Sequence, residues 1–198
     1  MGRTFLTVCQ ISVSARRSQI GQTGGSRTQP SEGTMEFGLT HTFDAPAEKC
    51  WAMFSDPKSH VAKFTEMGHI GVEIVEKKKT KKQLHIVITR EVAIDGIPGF
   101  AKKFIKPQNT LVSTDTWNDY GDGTYGGEFA LDTKGVPVNI TGTTNLVPDG
   151  DQSIYTVNLN VTVNVPLIGG KLAEFSKKIA LENLAKEFAI GDSWLASH

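Results

Sequence analysis

Polar and apolar residues alternate with period two in seven stretches of this chain, and with helical spacing in three. The first alternating run is Met35 to Phe43, where Phe37, Leu39, His41 and Phe43 share one face. Asp44-Ala45-Pro46 then reads as a helix start, with an acidic cap and a proline where no amide is needed. Ala47, Cys50, Trp51 and Phe54 follow at helical spacing, and Asp56-Pro57 restarts a second short helix carrying Val61 and Phe64. Further strands are predicted around Ile70–Ile74, Leu84–Ile88, Thr110–Trp117, Tyr125–Leu131, Val136–Leu146 and Tyr155–Val165. Turn residues separate them, including Gly121-Asp122-Gly123 and Pro148-Asp149-Gly150-Asp151. The last strand is the cleanest: six apolar residues alternate with Thr156, Asn158, Asn160, Thr162 and Asn164. One wet face and one apolar face predict an antiparallel sheet covered on one side.

From Gly169 onward the pattern is helical. At about 100° per residue, Lys171, Glu174, Lys178, Glu182 and Asp192 fall in one narrow arc. The apolar remainder is wider than a single stripe, as for a helix clasped by a curved sheet. Asn183 and Glu187 fall inside that apolar arc, either as satisfied rim groups or as polar anchors for a ligand.

Charge and composition narrow the functional classes. Four of the 21 basic residues and one of the 21 acids precede Met35, leaving a body with 17 against 20. So mildly acidic a body lacks the footprint of a nucleic-acid binder, and no nucleic-acid partner is expected. Two cysteines, Cys9 and Cys50, suit a reduced cytoplasmic chain better than a disulfide framework. No apolar run reaches the roughly 18 residues of a membrane span. Residues 1–34 are rich in Ser, Thr, Gly and Arg, and we expect a disordered or spurious extension, with a transit peptide as the minor reading. The folded domain is expected over residues 35–198.

Three features together carry a resemblance: Phe43-Asp44-Ala45-Pro46-Ala47, the Ile97-Pro98-Gly99-Phe100 loop, and Val165-Pro166-Leu167-Ile168-Gly169-Gly170-Lys171 before the last helix. They resemble an uncharacterised, mostly actinobacterial family within the START-like superfamily, which also holds polyketide cyclases and the birch-pollen allergen. The resemblance spans about Met35 to Leu195. It implies an α+β helix-grip fold, with a curved antiparallel sheet wrapping the C-terminal helix around an apolar cavity and two short helices after the first strand. It carries over no catalytic residue.

Other motifs dissolve on inspection. Gly121 to Gly126 spells G-x-G-x-x-G, but strands flank it on both sides where a dinucleotide site needs a following helix. His60, Glu66 and His69 come nearest to a metal set without its geometry, so neither metal nor cofactor is expected. Lys77, Lys78, Lys79, Lys81 and Lys82 form a basic knuckle, read as a solvated turn with docking on an anionic membrane as the alternative.

The leading expectation is therefore binding or transport of a lipophilic small molecule, lined by Phe100, Phe104, Trp117, Phe129, Leu172, Phe175 and Ile179. Phe100 and Phe104 lie on a loop that either caps the core edge or gates the cavity. The alternative is a cyclase- or dehydratase-like enzyme in the same cavity, with Glu91 or Arg90 as the inward acid or base. These two neighbours point to opposite faces of one strand, so at most one can serve. A partner protein with a filled core is the third option. An exclusively apolar lining is expected of the carrier, a buried ionisable pair of the enzyme, and no void of the partner protein.

Overall fold

The computed structural model describes residues 12–14 and 33–198. Its body follows the order strand, two helices, six strands, long helix: β2 (Thr34–Phe43), α1 (Ala47–Ser55), α2 (Pro57–Glu66), β3 (Ile70–Lys79), β4 (Gln83–Ala93), β5 (Gln108–Asp119), β6 (Tyr125–Thr133), β7 (Val138–Asp149), β8 (Gln152–Val163) and α3 (Gly169–Ser197). The expected leader lies mostly outside the described residues. Of that leader, Gly33 and Thr34 lead into β2, and β1 (Ser12–Ser14) pairs antiparallel with β2 opposite Gly38–Thr40.

All strands form one antiparallel sheet in the order β1-β2-β8-β7-β6-β5-β4-β3. Each hairpin joins neighbours except at the seam, where β2 pairs with β8 from Thr34↔Thr162 to Phe43↔Ser153. That seam sends β2 and β3 to opposite parts of the sheet. The α1–α2 segment must therefore cross from one to the other over the concave side. Register shifts in β3, between Ile70 and Glu73 and between Ile74 and Glu76, bend the opposite edge.

The period-two pattern performs as elementary geometry requires. Val157, Leu159, Val161 and Val163 of β8 are buried, as are Leu84, Ile86 and Ile88 of β4, while Asn158 faces solvent. Helix starts differ in detail. Asp56 caps α2 by accepting from the Lys58 amide at 2.9 Å, with Pro57 just inside. Asp44, predicted to cap α1, does not; Pro46 occupies that position without a side-chain hydrogen bond. Asp44 instead accepts from Gln152 at 3.3 Å, which ties the helix entry to the β7–β8 hairpin.

Helix α3 runs for 29 residues, about 43 Å, and rests chiefly on β2 and β8. Contact is tightest at its two ends. Leu172 and Ala173 are fully buried near the start. Toward the end, Phe188 stacks on His41 at 4.8 Å, and a Cβ at Gly191 would stand 3.0 Å from the Phe43 ring. His41 also meets Asp192 at 3.0 Å, lashing β2 to the helix. Between these contacts Ile179, Ala180 and Leu184 are only half-buried. The helix therefore covers the seam side of the sheet and leaves room beneath its middle.

Candidate functional site

That room is a cavity of about 510 Å³ between mid-α3, α2 and the inner faces of β4 to β8. Its volume falls in the range of small-molecule sites. Aromatic rings close one end. Phe54 stacks on Trp117 at 5.0 Å, Trp117 faces Tyr155 at 6.0 Å, and Tyr155 meets Phe188 edge-on at 5.8 Å. Leu111, Leu131, Val136 and Ile179, all half-buried, line the more open part.

The lining is not purely apolar. Strand alternation turns Arg90 of β4 inward together with Ser113 and Asp115 of β5, while Glu91 turns outward to accept from Thr110 at 2.6 Å. The Arg90 guanidinium is 4% exposed; its Nη1 donates to Ser113 Oγ at 2.9 Å, and its Cζ lies 3.7 Å from the Phe64 ring centroid. Helices supply the facing wall. Lys63 of α2 pairs with Glu187 of α3 at 2.7 Å, and His60 donates from Nε2 to the Phe54 carbonyl at 2.8 Å. His69, just after α2, stacks on Phe64 at 5.6 Å.

Low polarity around this cluster sets its protonation. Burial lifts the Asp115 carboxyl to about 6, against smaller opposing pulls from Lys63 and Arg90. Burial, helped by the nearby Lys63 charge, drops His60 to about 4; burial and Arg90 do the same to His69. Both imidazoles are therefore neutral near pH 7. Glu187 feels burial pushing it up, but the charge and hydrogen bond of Lys63, together with the Arg90 charge, hold it below its ordinary value. Tyr155 is raised well above its usual value by burial, then by the Glu187 and Asp115 charges.

Of the seven lining residues expected from sequence, Trp117, Phe129 and Ile179 stand on the cavity wall. Leu172 is fully buried in the helix–sheet contact, and Phe175 and Phe104 pack against the core. Phe100 is 39% exposed. Its loop makes a helical turn in which Ile105 donates to the Ala101 carbonyl at 2.9 Å, so these two residues anchor it and Phe100 points away. Asn183 and Glu187 both reach the wall. Sequence reading missed Asp115, Ser113, His60, His69 and Lys63 as lining. The inward alternation of the β5 run, whose odd positions include Ser113 and Asp115, was the available signal.

The lysine knuckle divides. Lys77–Lys79 end β3 rather than forming a turn, and Lys79 donates to Ser55 Oγ at 2.9 Å beside the Trp51 ring. The glycine-rich stretch is the β5–β6 hairpin, with Asp122 accepting from the Thr124 amide at 3.0 Å. Cys50 is a buried free thiol 3.1 Å from Ser153 Oγ, and burial raises its pKa. Among the described residues no cluster of metal-ligating side chains occurs, and no helix is long and apolar enough to cross a membrane.

The model of the family described as "Protein of unknown function (DUF2505)" matches residues 38–195. The chain belongs to that family. Among solved structures, this DUF2505 member resembles TTHA0849 from Thermus thermophilus, with a TM-score of 0.60 at 15% identity, over 82% of this chain and 98% of that one. The Zhui aromatase/cyclase from Streptomyces sp. R1128 matches with a TM-score of 0.59 at 15% identity, over 82% and 94% of the two chains. Human STARD10 matches with a TM-score of 0.55 at 12% identity, over 82% and 66%. At such identities the likeness is one of fold, and it is the START-like helix-grip fold. No curated protein matches by sequence.

Proposed function

We propose that this protein binds a lipophilic small molecule in the cavity beneath mid-α3. The observation that carries the reading is the void itself, about 510 Å³ between the helix and the sheet. Close-packed interiors rarely keep voids larger than a water molecule. Burying apolar ligand surface against Trp117, Phe129, Leu131 and Ile179 supplies the affinity, at about 25 cal/mol per Å². Exchange at an anionic membrane belongs to the same proposal, with Lys77, Lys78, Lys81 and Lys82 as the contacting charges. Native mass spectrometry of gently purified protein tests it. A co-purifying lipophile supports binding; clean apo protein that also ignores fluorescent fatty-acid probes contradicts it.

A second reading, a cyclase- or dehydratase-like enzyme, draws support from the ionisable groups on the wall, Arg90, Asp115 and the Lys63–Glu187 pair, where an exclusively apolar lining is expected of a carrier. Asp115 borders the void with a pKa of about 6, close to where a general acid or base works best. Its test is the appearance of an aromatic chromophore from a linear poly-β-ketone thioester. Turnover that Asp115→Asn abolishes supports the enzyme, and no turnover by the wild type contradicts it.

A further inference from the structure

We propose that the Arg90 guanidinium anchors the ligand's head group, so that the ligand carries a carboxylate on an apolar body. This deepens the binding reading above and rests on it. Arg90 is buried, yet no carboxylate lies within ion-pair distance of it among the described residues. Among the described residues its Nε has no hydrogen-bond partner, and neither has the buried Nδ1 of His69. Such isolation is costly, since a buried ion with no counter-charge in contact is left with much of its desolvation uncompensated. The face of Phe64 and the Ser113 hydroxyl return only part of that.

The local acids do not serve as its partner. Glu187 is committed to Lys63 at 2.7 Å. Asp115 shares the cavity wall and is largely ionised at pH 7, with a pKa of about 6, but it lies outside ion-pair distance of Arg90. The two histidines are held neutral, and Lys63 cancels Glu187. The guanidinium therefore keeps an unmet donor, with no carboxylate in direct contact, beside a cavity that is otherwise mainly aromatic and aliphatic. A carboxylate matches the fork of a guanidinium and supplies the acceptor that its Nε lacks; a phosphate dianion would bring more negative charge to a wall that already holds Asp115 and Glu187. The Ser113 hydroxyl, which accepts from Arg90, can donate to the second oxygen, and His69 lines the same wall.

The test compares dodecanoate with methyl dodecanoate and dodecanol, by calorimetry on the full-length protein. Wild type is expected to bind the acid at least tenfold more tightly than the ester or alcohol. Arg90→Met is expected to lose that preference while still binding the ester. Arg90→Lys should retain part of it. Ser113→Ala, a milder change, should narrow the preference even where Arg90 variants fold poorly. Equal binding of acid and ester by wild type overturns the head-group assignment and leaves lipophile binding intact. Absence of binding by all three probes counts against the cavity reading, and the assignment falls with it.

Discussion

Lys63 on α2 and Glu187 on α3 meet at 2.7 Å over the polar part of the cavity. The pair pins α2 to α3 one residue before Phe188, where the helix returns to the sheet at His41. Lys63→Met strands a poorly hydrated carboxylate. Both side chains keep some exposure, 19% and 27%, so the loss should be about 2 kcal/mol, below the range for fully buried pairs. The double variant Lys63→Met/Glu187→Leu should recover most of it. Urea denaturation of the three proteins checks this; equal losses in the single and double variants contradict it.

Stability should depend on pH in a specific window. His60 and His69 titrate near 4 in the folded protein, against about 6.5 in an unfolded chain. The unfolded state binds the extra protons, so the stability these groups contribute is complete above 6.5 and is lost as pH falls through 4. Asp115 acts oppositely. Its folded value of about 6 exceeds the unfolded value, so its favourable share exists at low pH and is lost as pH rises through 6. Two against one, wild type should gain stability from pH 4 to 6.5. Asp115→Asn should steepen that gain and be the more stable protein at pH 7 to 8. Urea midpoints across this range provide the check.

Gly142 of β7 faces Phe129 of β6 in the register, where a Cβ would collide with the Phe129 ring and the Asn158 carbonyl. Both obstacles belong to packed strands, so neither can move freely. Gly142→Ala should cost about 3 kcal/mol and lower the melting temperature by about 6–12 °C. Thermal unfolding monitored by circular dichroism measures it.

Leu167 adopts a left-handed backbone, φ 67°, while being 92% exposed. Little packing is lost if it is replaced. Leu167→Gly should stabilise by about 0.5–1 kcal/mol, since relief of the backbone outweighs the added freedom of the unfolded chain. Leu167→Ala, which keeps the Cβ, should give no gain in the same denaturation assay.

Much of this architecture was legible because burial on one face writes itself into a strand as period two. β8 shows it, with Tyr155 to Val163 alternating inward, and so does the wide apolar surface of α3. The site was legible in part. Trp117 and Phe129 stand on the wall because large aromatics on inward positions must face either core or void. Phe100 and Phe104 were misplaced for a local reason: a helical turn at Pro98–Ile105 selects Ala101 and Ile105 as its inward residues, which no period-two or simple loop reading reveals. The polar cluster stayed hidden for a different reason. Lys63, Arg90, Asp115 and Glu187 sit on four elements far apart in sequence, and only the seam and the α2–α3 contact bring them to one cavity.

Filling the void tests the central claim most directly. Ala180 lines the cavity from mid-α3, and Ala180→Trp places an indole in the open volume. Binding of Nile red, an uncharged apolar fluorophore, should be saturable and blue-shifted in wild type. The variant should lose that binding while its circular dichroism and melting temperature remain those of a folded protein. A folded Ala180→Trp protein that binds Nile red as tightly as wild type would contradict the account.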